Sequence, residues 1–142
     1  MTTRLKDCFL IPFYQQNSEN GDLVSAHSFQ EIPFEVQRVY YLYDVTAERK
    51  SGQHANIQNQ QVMVAVKGSF KVRLYDGQET RTFNLDQPNE GLLVREGIWR
   101  EVFDFSEDAI CLVLCSEKFE EGDYLKDWEV FMDWKLKNIY PA

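Results

Sequence analysis

The stretch of sequence that decides the fold runs from residue 52 to residue 68 and reads G-Q-H-A-N-I-Q-N-Q-Q-V-M-V-A-V-K-G. Its marked positions are the two terminal glycines, His54, Asn56 and Gln60. Two imidazoles and a carboxylate at the last three positions could hold a divalent metal ion. Here a single imidazole is accompanied by two neutral amides, which would bind such an ion poorly. The stretch therefore directs attention to acid/base chemistry without a metal, or to plain ligand binding.

Around this stretch, short apolar runs alternate with turn signals, which is typical of an antiparallel sandwich or barrel. The glycine-to-glycine spacing resembles the first motif of cupin barrels, so we expect an all-β, cupin-type antiparallel β-barrel (jelly roll). His54 is expected in a loop at the barrel mouth, just before a strand. The last apolar run suggests a strand buried on both faces. Strands are predicted over residues 23–26, 36–43, 61–66, 70–75, 80–85, 91–95, 98–103 and 109–115.

The end of the chain changes character. Trp128, Phe131 and Trp134 recur at helical spacing, and Asp127 is placed to cap a short C-terminal helix over about residues 127–137. We interpret this helix as packing on the barrel, and the acidic run at residues 120–123 as a solvated loop. Because no linker or internal repeat is evident, one domain over residues 1–142 is expected, with its core at about residues 20–118.

The composition limits the function classes. The 142 residues are 44% hydrophobic, which allows a real core, and carry a formal net charge of −8. Lys and Arg are scattered, which argues against a nucleic-acid partner. Cys8, Cys111 and Cys115 form no disulfide pattern, and the last two are expected to be buried thiols on one strand face. No apolar run approaches the ~18 residues that span a membrane, so a cytoplasmic location without a membrane partner is expected.

The chain has two histidines, His27 and His54. An imidazole at a barrel mouth could take a proton from a carbon beside a carbonyl, because its pKa lies near neutral pH. A three-histidine metal site is excluded by counting. A mixed site that combines His27, His54 and a carboxylate remains an alternative.

A second cluster lies in the strand predicted at residues 36–43. There Arg38 shares one strand face with Tyr40, while Tyr41 and Tyr43 share the other. In a barrel lumen, tyrosine hydroxyls can bind sugar hydroxyls or shuttle protons, and an arginine can pair with phosphate. The alternative is aromatic core packing beside a surface arginine.

Short motifs follow one another in order from about residue 20 to about residue 131. They are I-P-F at 32–34, R-V-Y-Y at 38–41, G-x-H-A at 52–55, Q-V at 61–62, G-S at 68–69, D-G at 76–77, L-D-x-P at 85–88, G-L at 91–92, W-R-E at 99–101, D-F-S at 104–106 and D-Y at 123–124. With these motifs the chain resembles the sugar 3,4-ketoisomerases that act on dTDP-4-keto-6-deoxyglucose, also called WxcM-like cupins.

The resemblance implies a small cupin-type barrel, usually a homodimer whose subunits exchange N-terminal strands. It implies an isomerase that moves a keto group between C4 and C3 of a nucleotide-linked 6-deoxyhexose, in deoxysugar and polysaccharide biosynthesis, without a metal or redox cofactor. The family's two catalytic histidines stand in an H-A-H-K sequence, and a tyrosine of the R-V-Y-Y segment lies near the sugar.

Carried over residue by residue, the resemblance assigns catalysis to His54 as the base, Tyr41 as a polarising or proton-relay group, and Asn56 as a hydrogen-bond partner of the enediol. Four further residues are expected to bind substrate, namely Arg38, Arg100, His27 and Gln61. The two arginines are expected at the pyrophosphate or the site wall, and His27 is expected to replace the missing second histidine.

The chain departs from the family pattern at charged positions. Asn56 replaces the second histidine, Ile57 the following lysine and Ser51 an arginine, while Asn20-Gly21 stands where the early turn usually reads R-G. An amide can donate a hydrogen bond to an enolate oxygen but cannot shuttle a proton. Two other functions therefore stay open: a nucleotide-sugar or carbohydrate-binding cupin without catalysis, and an epimerase or dehydratase acting on another nucleotide sugar.

Overall fold

The computed structural model describes residues 2–46, 48–49 and 51–139. Within this part of the chain, strands and one helix follow in this order: β1 (Leu10–Pro12), β2 (Tyr14–Gln16), β3 (Leu23–Ser25), β4 (Arg38–Leu42), β5 (Ser51–Asn56), β6 (Gln61–Lys67), β7 (Phe70–Tyr75), β8 (Thr80–Leu85), β9 (Glu90–Val94), β10 (Trp99–Phe103), β11 (Ile110–Cys115), β12 (Tyr124–Leu125) and α1 (Trp128–Ile139). A 3₁₀ turn at Glu121–Asp123 precedes β12.

Ten of these strands form two antiparallel five-stranded sheets that face each other. The first sheet has the order β1-β9-β6-β11-β4, and the second has the order β12-β5-β10-β7-β8. Their inner faces enclose an apolar core that includes Phe70, Leu74, Leu92 and Val113. Alternation along each strand explains this arrangement, because every second side chain of a strand points into the barrel. The predicted all-β jelly roll with a short C-terminal helix is confirmed.

The predicted strands match eight observed strands closely, and the differences have physical causes. Residues 51–56 form strand β5 and not the loop predicted there, because polar residues such as His54 and Asn56 face the barrel interior and hide the usual apolar signal. The short strands β1, β2 and β12 have too few residues to show a period.

Strand β11 also differs from its prediction of burial on both faces. Cys111, Val113 and Cys115 point inward and are buried, so the two thiols share one face as predicted. Leu112 and Leu114 on the outer face are only partly covered, because the N-terminal segments reach across part of that face.

The outer face of the first sheet carries a second apolar layer. Val62 and Val64 pair with Leu114 and Leu112, and the segment around Phe34 packs over them. The hairpin formed by β2 and β3 is a separate two-stranded sheet beside this layer. Several apolar side chains of this region remain exposed, namely Tyr14, Leu23, Val39, Tyr41, Tyr43 and Val66.

Helix α1 covers the outer face of the second sheet. The Oδ1 atom of Asp127 accepts a hydrogen bond from the Val130 backbone N–H at 3.0 Å, which caps the helix as predicted. Phe131 is fully buried against Ala55 and Trp99. The buried Lys135 amine donates to the Gly97 carbonyl at 2.7 Å, which fastens the helix to the turn before β10.

Among the described residues, no helix has both the length and the apolar character needed to cross a bilayer.

Candidate active site

Polar side chains from both sheets meet at one end of the barrel. In the first sheet, Cys115 of β11 lies opposite Arg38 of β4 on one side and opposite Gln61 of β6 on the other. In the second sheet, His54 of β5 lies opposite Arg100 of β10. Residues that are directly opposite in antiparallel strands present their side chains on the same face. Two rows of inward polar groups are therefore formed, one on each sheet.

Two hydrogen bonds join the rows across the barrel. The Nη2 atom of Arg38 donates to the Tyr124 hydroxyl at 3.2 Å, and Nη1 of Arg100 donates to Oε1 of Gln61. Tyr124 belongs to β12, where it pairs with Asn56 of β5. The pairing of β5 with β10 shifts register next to Arg100, a bulge of the kind often found beside active sites.

Arg100 sets the orientation of the groups around it. Its side chain is fully buried, and Nη2 donates to the Ile98 carbonyl at 3.1 Å. Because a guanidinium can only donate, the Gln61 amide must turn its oxygen to Arg100 and its NH₂ to the Tyr40 hydroxyl, at 3.2 Å. Tyr40 accepts this bond, so its own hydroxyl hydrogen is available to a ligand. Burial raises the pKa of Tyr40 to about 12, which keeps that hydrogen in place.

His54 faces the interior from the second sheet. Its Nε2 atom lies 3.0 Å from Oδ1 of Asn56, and its ring packs against the Tyr124 ring with 4.8 Å between centroids. Burial, followed by the positive charge of Arg100, lowers the pKa of His54 to about 3. The imidazole is therefore neutral at neutral pH, and one of its nitrogens offers a lone pair.

Asn56 and Asp123 lie behind His54. Asn56 is fully buried, and its Nδ2 atom donates to Oδ2 of Asp123 at 3.1 Å. The Asp123 carboxylate also accepts the backbone N–H groups of Gln58 and Asn59. The acidic run at residues 120–123, predicted to be a solvated loop, thus ends in a carboxylate that is bonded into the site.

Two donors of the site have no partner within the described residues. They are the Nε atoms of Arg38 and Arg100, both of which are buried. Buried N–H groups are nearly always hydrogen-bonded in proteins. Both belong to positively charged groups, so they suit an oxyanion or a phosphate oxygen.

The structure brings together five of the seven residues that the sequence nominated. His54, Asn56, Arg38, Arg100 and Gln61 all face the barrel interior. Tyr41 does not, because alternation along β4 turns it outward, where 60% of it is exposed. Its neighbour Tyr40 faces the interior instead, so the structure does not bring Tyr41 together with the other nominated residues.

His27 also lies apart from the interior. Its exposed imidazole Nδ1 is 3.0 Å from the Glu31 carboxylate, and both residues belong to the segment after β3. This position gives no support to a substitute for the missing second histidine. Among the described residues, no group of three or more His, Cys, Asp or Glu side chains could hold a metal ion, so the mixed site with His27 and His54 is not formed.

Sequence reasoning did not nominate Tyr40, Asp123 and Tyr124. The alternation in the R-V-Y-Y segment puts Tyr40 on the same face as Arg38, but it does not show which of the two strand faces points inward. Asp123 and Tyr124 lie far from β5 in sequence. The sequence indicated these two residues only through the D-Y motif at residues 123–124. No local pattern predicted that they lie beside His54.

Comparison with known proteins gives consistent matches. A family model described as FdtA, WxcM-like, C-terminal, matches residues 6–136. The TDP-4-oxo-6-deoxy-alpha-D-glucose-3,4-oxoisomerase of Aneurinibacillus thermoaerophilus is 36% identical over 128 residues, which cover 90% of this chain and 92% of the relative.

Solved structures match over nearly the whole chain. A histidine-to-asparagine mutant of the 3,4-ketoisomerase QdtA from Thermoanaerobacterium thermosaccharolyticum, in complex with TDP-4-keto-6-deoxyglucose, superposes with a TM-score of 0.92 at 32% identity, covering 97% of this chain and 100% of that one. A 3,4-ketoisomerase from Helicobacter canadensis gives a TM-score of 0.89 at 34% identity, covering 92% of this chain and 98% of that one.

Replacing His54 with glutamine should flatten the pH dependence of stability on the acid side. The pKa of His54 is about 3 in the folded chain and near the ordinary 6.5 in the unfolded chain. Between these values the unfolded state binds more protons, so this contribution is present above about pH 6.5 and is lost as pH falls toward 3. In urea unfolding between about pH 7 and about pH 5, wild type should lose about 1–2 kcal/mol more than His54→Gln. Equal losses in both proteins would contradict the low pKa.

Proposed function

Because the chain belongs to the FdtA family of WxcM-like proteins, we propose that it is a sugar 3,4-ketoisomerase acting on a dTDP-linked 4-keto-6-deoxyhexose. The observation that carries the proposal is the pairing, in one barrel interior, of a neutral imidazole with a tyrosine hydroxyl whose hydrogen is available to a ligand. Isomerisation between adjacent carbons needs one group that accepts a proton from carbon and another that donates to oxygen.

The reaction conserves atoms without an outside oxidant or reductant. The C3–H bond breaks as its proton moves to His54, the electron pair forms a C3–C4 double bond, and the C4 oxygen takes a proton from Tyr40. The enediol then collapses: the O3 proton returns to Tyr40, a C3 carbonyl forms, and C4 takes the proton from His54. One imidazole suffices if it reaches both carbons from the same face of the sugar.

Arg100 and Arg38 stabilise negative charge in this scheme. Each carries a buried Nε–H with no partner among the described residues. Arg100 lies opposite His54, so we place its charge near the oxygens on which negative charge develops while the C3–H bond breaks and the enediol forms. A preorganised donor in a site shielded from water stabilises such charge by more than an equivalent donor in solution. Arg38, which borders the exposed Phe119 ring, is the candidate for a phosphate oxygen.

We also propose a homodimer and a cytoplasmic location. The outer face of the first sheet exposes Val39, Tyr41 and Val66, and a patch of this kind on a soluble domain commonly marks a protein–protein contact. The separate hairpin of β2 and β3 is suited to exchange between subunits. All three cysteines are buried and unpaired, which fits a reducing compartment.

A second candidate function rests on Asn56. This asparagine stands where the family resemblance expects a catalytic histidine, so the barrel could bind a nucleotide sugar without converting it. The QdtA variant with asparagine in place of a histidine is described in complex with TDP-4-keto-6-deoxyglucose. Loss of one histidine is thus compatible with substrate binding in a relative.

Purified protein mixed with dTDP-4-keto-6-deoxyglucose in deuterated water should form the 3-keto isomer with deuterium at C4, and on the return reaction deuterium at C3. Proton exchange on His54 supplies the deuterium. Proton NMR follows both positions. His54→Gln should remove isomerisation and exchange while calorimetry still detects binding. Tight binding by wild type with neither isomerisation nor exchange would instead support the second candidate.

Restoring the missing imidazole should raise turnover. In Asn56→His, one ring nitrogen can donate to Asp123 while the other faces His54, so a second group able to carry a proton joins the site. A positioned acid/base group typically contributes ~10²–10⁴-fold, and we expect kcat to rise by at least about tenfold with a smaller change in KM. Gln53→His is the matched control, since residue 53 is an exposed position on the same strand. An unchanged kcat in both variants would contradict the expectation.

The two neighbouring tyrosines provide a paired test of which strand face carries the chemistry. Tyr40→Phe removes the hydroxyl that protonates the C4 oxygen, and kcat/KM should fall by about 10²-fold. Tyr41→Phe changes an exposed side chain and should leave kcat/KM within about twofold of wild type. Steady-state kinetics of the two variants settles the point, and the reverse ranking would overturn the assignment of Tyr40.

A further inference from the structure

The hydrogen bonds behind His54 determine which of its ring nitrogens carries a proton. The Oδ1 atom of Asp123 accepts the Gln58 N–H at 2.6 Å, and Oδ2 accepts both the Asn59 N–H at 3.2 Å and Nδ2 of Asn56 at 3.1 Å. A carboxylate accepts and does not donate. The side-chain amide of Asn56 must therefore turn its NH₂ group to Asp123.

The orientation of Asn56 then fixes that of His54. With its NH₂ on Asp123, Asn56 presents Oδ1 to Nε2 of His54 at 3.0 Å. An amide oxygen can only accept, so Nε2 must carry the hydrogen. Asn56 is fully buried and cannot exchange these partners for water. Because the imidazole is neutral at neutral pH, its remaining nitrogen, Nδ1, holds the lone pair.

We propose that Asp123 is a positioning residue that acts through Asn56 to hold His54 in the Nε2–H tautomer, so that Nδ1 is the atom that removes the proton from the sugar. The proton-removing role of Nδ1 rests on the proposed isomerase function, whereas the tautomer does not. Asn56 then has a role of its own, because its bond to the Asp123 carboxylate turns its oxygen to His54 as a hydrogen-bond acceptor.

The Asn56 amide oxygen thereby supplies the hydrogen-bond acceptor that a catalytic histidine usually has for its second ring nitrogen. A histidine that acts as a base commonly donates its other N–H to a carboxylate or a carbonyl, which fixes the tautomer and orients the ring. Here the Asp123 carboxylate does not contact the imidazole directly, because the Asn56 amide lies between them. The amide accepts from Nε2 as a carboxylate would, but it places no negative charge beside the ring. The Tyr124 ring, with its centroid 4.8 Å from that of His54, limits rotation of the imidazole.

The tautomer is measured directly on the full chain labelled with ¹⁵N-histidine, by long-range proton–nitrogen correlation at neutral pH without substrate. The chain has only two histidines, and His27→Gln assigns the signals. We expect Nε2 of His54 at the chemical shift of a protonated nitrogen and Nδ1 at that of an unprotonated one. The opposite pattern, or rapid averaging of the two tautomers, overturns the proposal whatever the activity is.

Asp123→Ala should release this pattern. It removes the acceptor of the Asn56 NH₂ group, so the Asn56 amide can present either its oxygen or its NH₂ to Nε2 of His54, and the two tautomers should average or the Nδ1–H form should appear. Loss of the working tautomer at a catalytic histidine is expected to lower kcat by about tenfold or more while KM changes little, as in serine proteases whose histidine is held in the wrong tautomer.

Glu121→Ala is the matched control, because it removes the same charge from the same 3₁₀ turn at an exposed position. It should leave the His54 tautomer and kcat as in wild type. If Asp123→Ala folds and retains the wild-type tautomer, or if Glu121→Ala also disturbs it, Asp123 is not the positioning residue. If the tautomers behave as expected but neither wild type nor control isomerises the sugar nucleotide, the positioning stands and the proposed function fails.

Discussion

Two charged side chains determine the direction of the hydrogen bonds throughout the site, because Arg100 can only donate and Asp123 can only accept. Arg100 is hydrogen-bonded to the Gln61 amide and Asp123 to the Asn56 amide, and each amide has one donating and one accepting end. The charged partner therefore fixes which end of each amide faces the next group. Tyr40 is left with a hydrogen to give, and His54 with a lone pair to receive one.

This arrangement has a cost that the rest of the barrel must offset. Arg100 is a fully buried cation, and burial of an ionised group is unfavourable unless it is well hydrogen-bonded. Part of its hydrogen-bonding capacity is used by Gln61 and the Ile98 carbonyl, but Nε has no partner within the described residues. Stability comes from elsewhere, from the apolar core between the two sheets, the outer apolar layer and the helix anchored by Phe131.

The exchange of an imidazole for an amide at position 56 changes the chemistry more than the architecture. A histidine there could carry a proton, whereas Asn56 can only orient its neighbours. The low pKa of His54 follows from the same surroundings, because burial and the charge of Arg100 both disfavour the imidazolium. The result is a site with one group that can hold a proton from carbon and one hydroxyl that serves oxygen. Isomerisation by this chain thus depends on the reach of a single side chain to two carbons.

The sequence by itself determined the barrel class, eight of the twelve described strands and the C-terminal helix, because alternation, turn residues and helical spacing are local signals. It also nominated His54, Asn56, Arg38, Arg100 and Gln61, through a motif pattern that spans most of the chain. Only the tertiary structure decided between Tyr40 and Tyr41, since that choice depends on which face of β4 is turned inward. Only the tertiary structure brought Asp123 to Asn56, 67 positions away in sequence, because pairing between β12 and β5 is a long-range contact that no local period records.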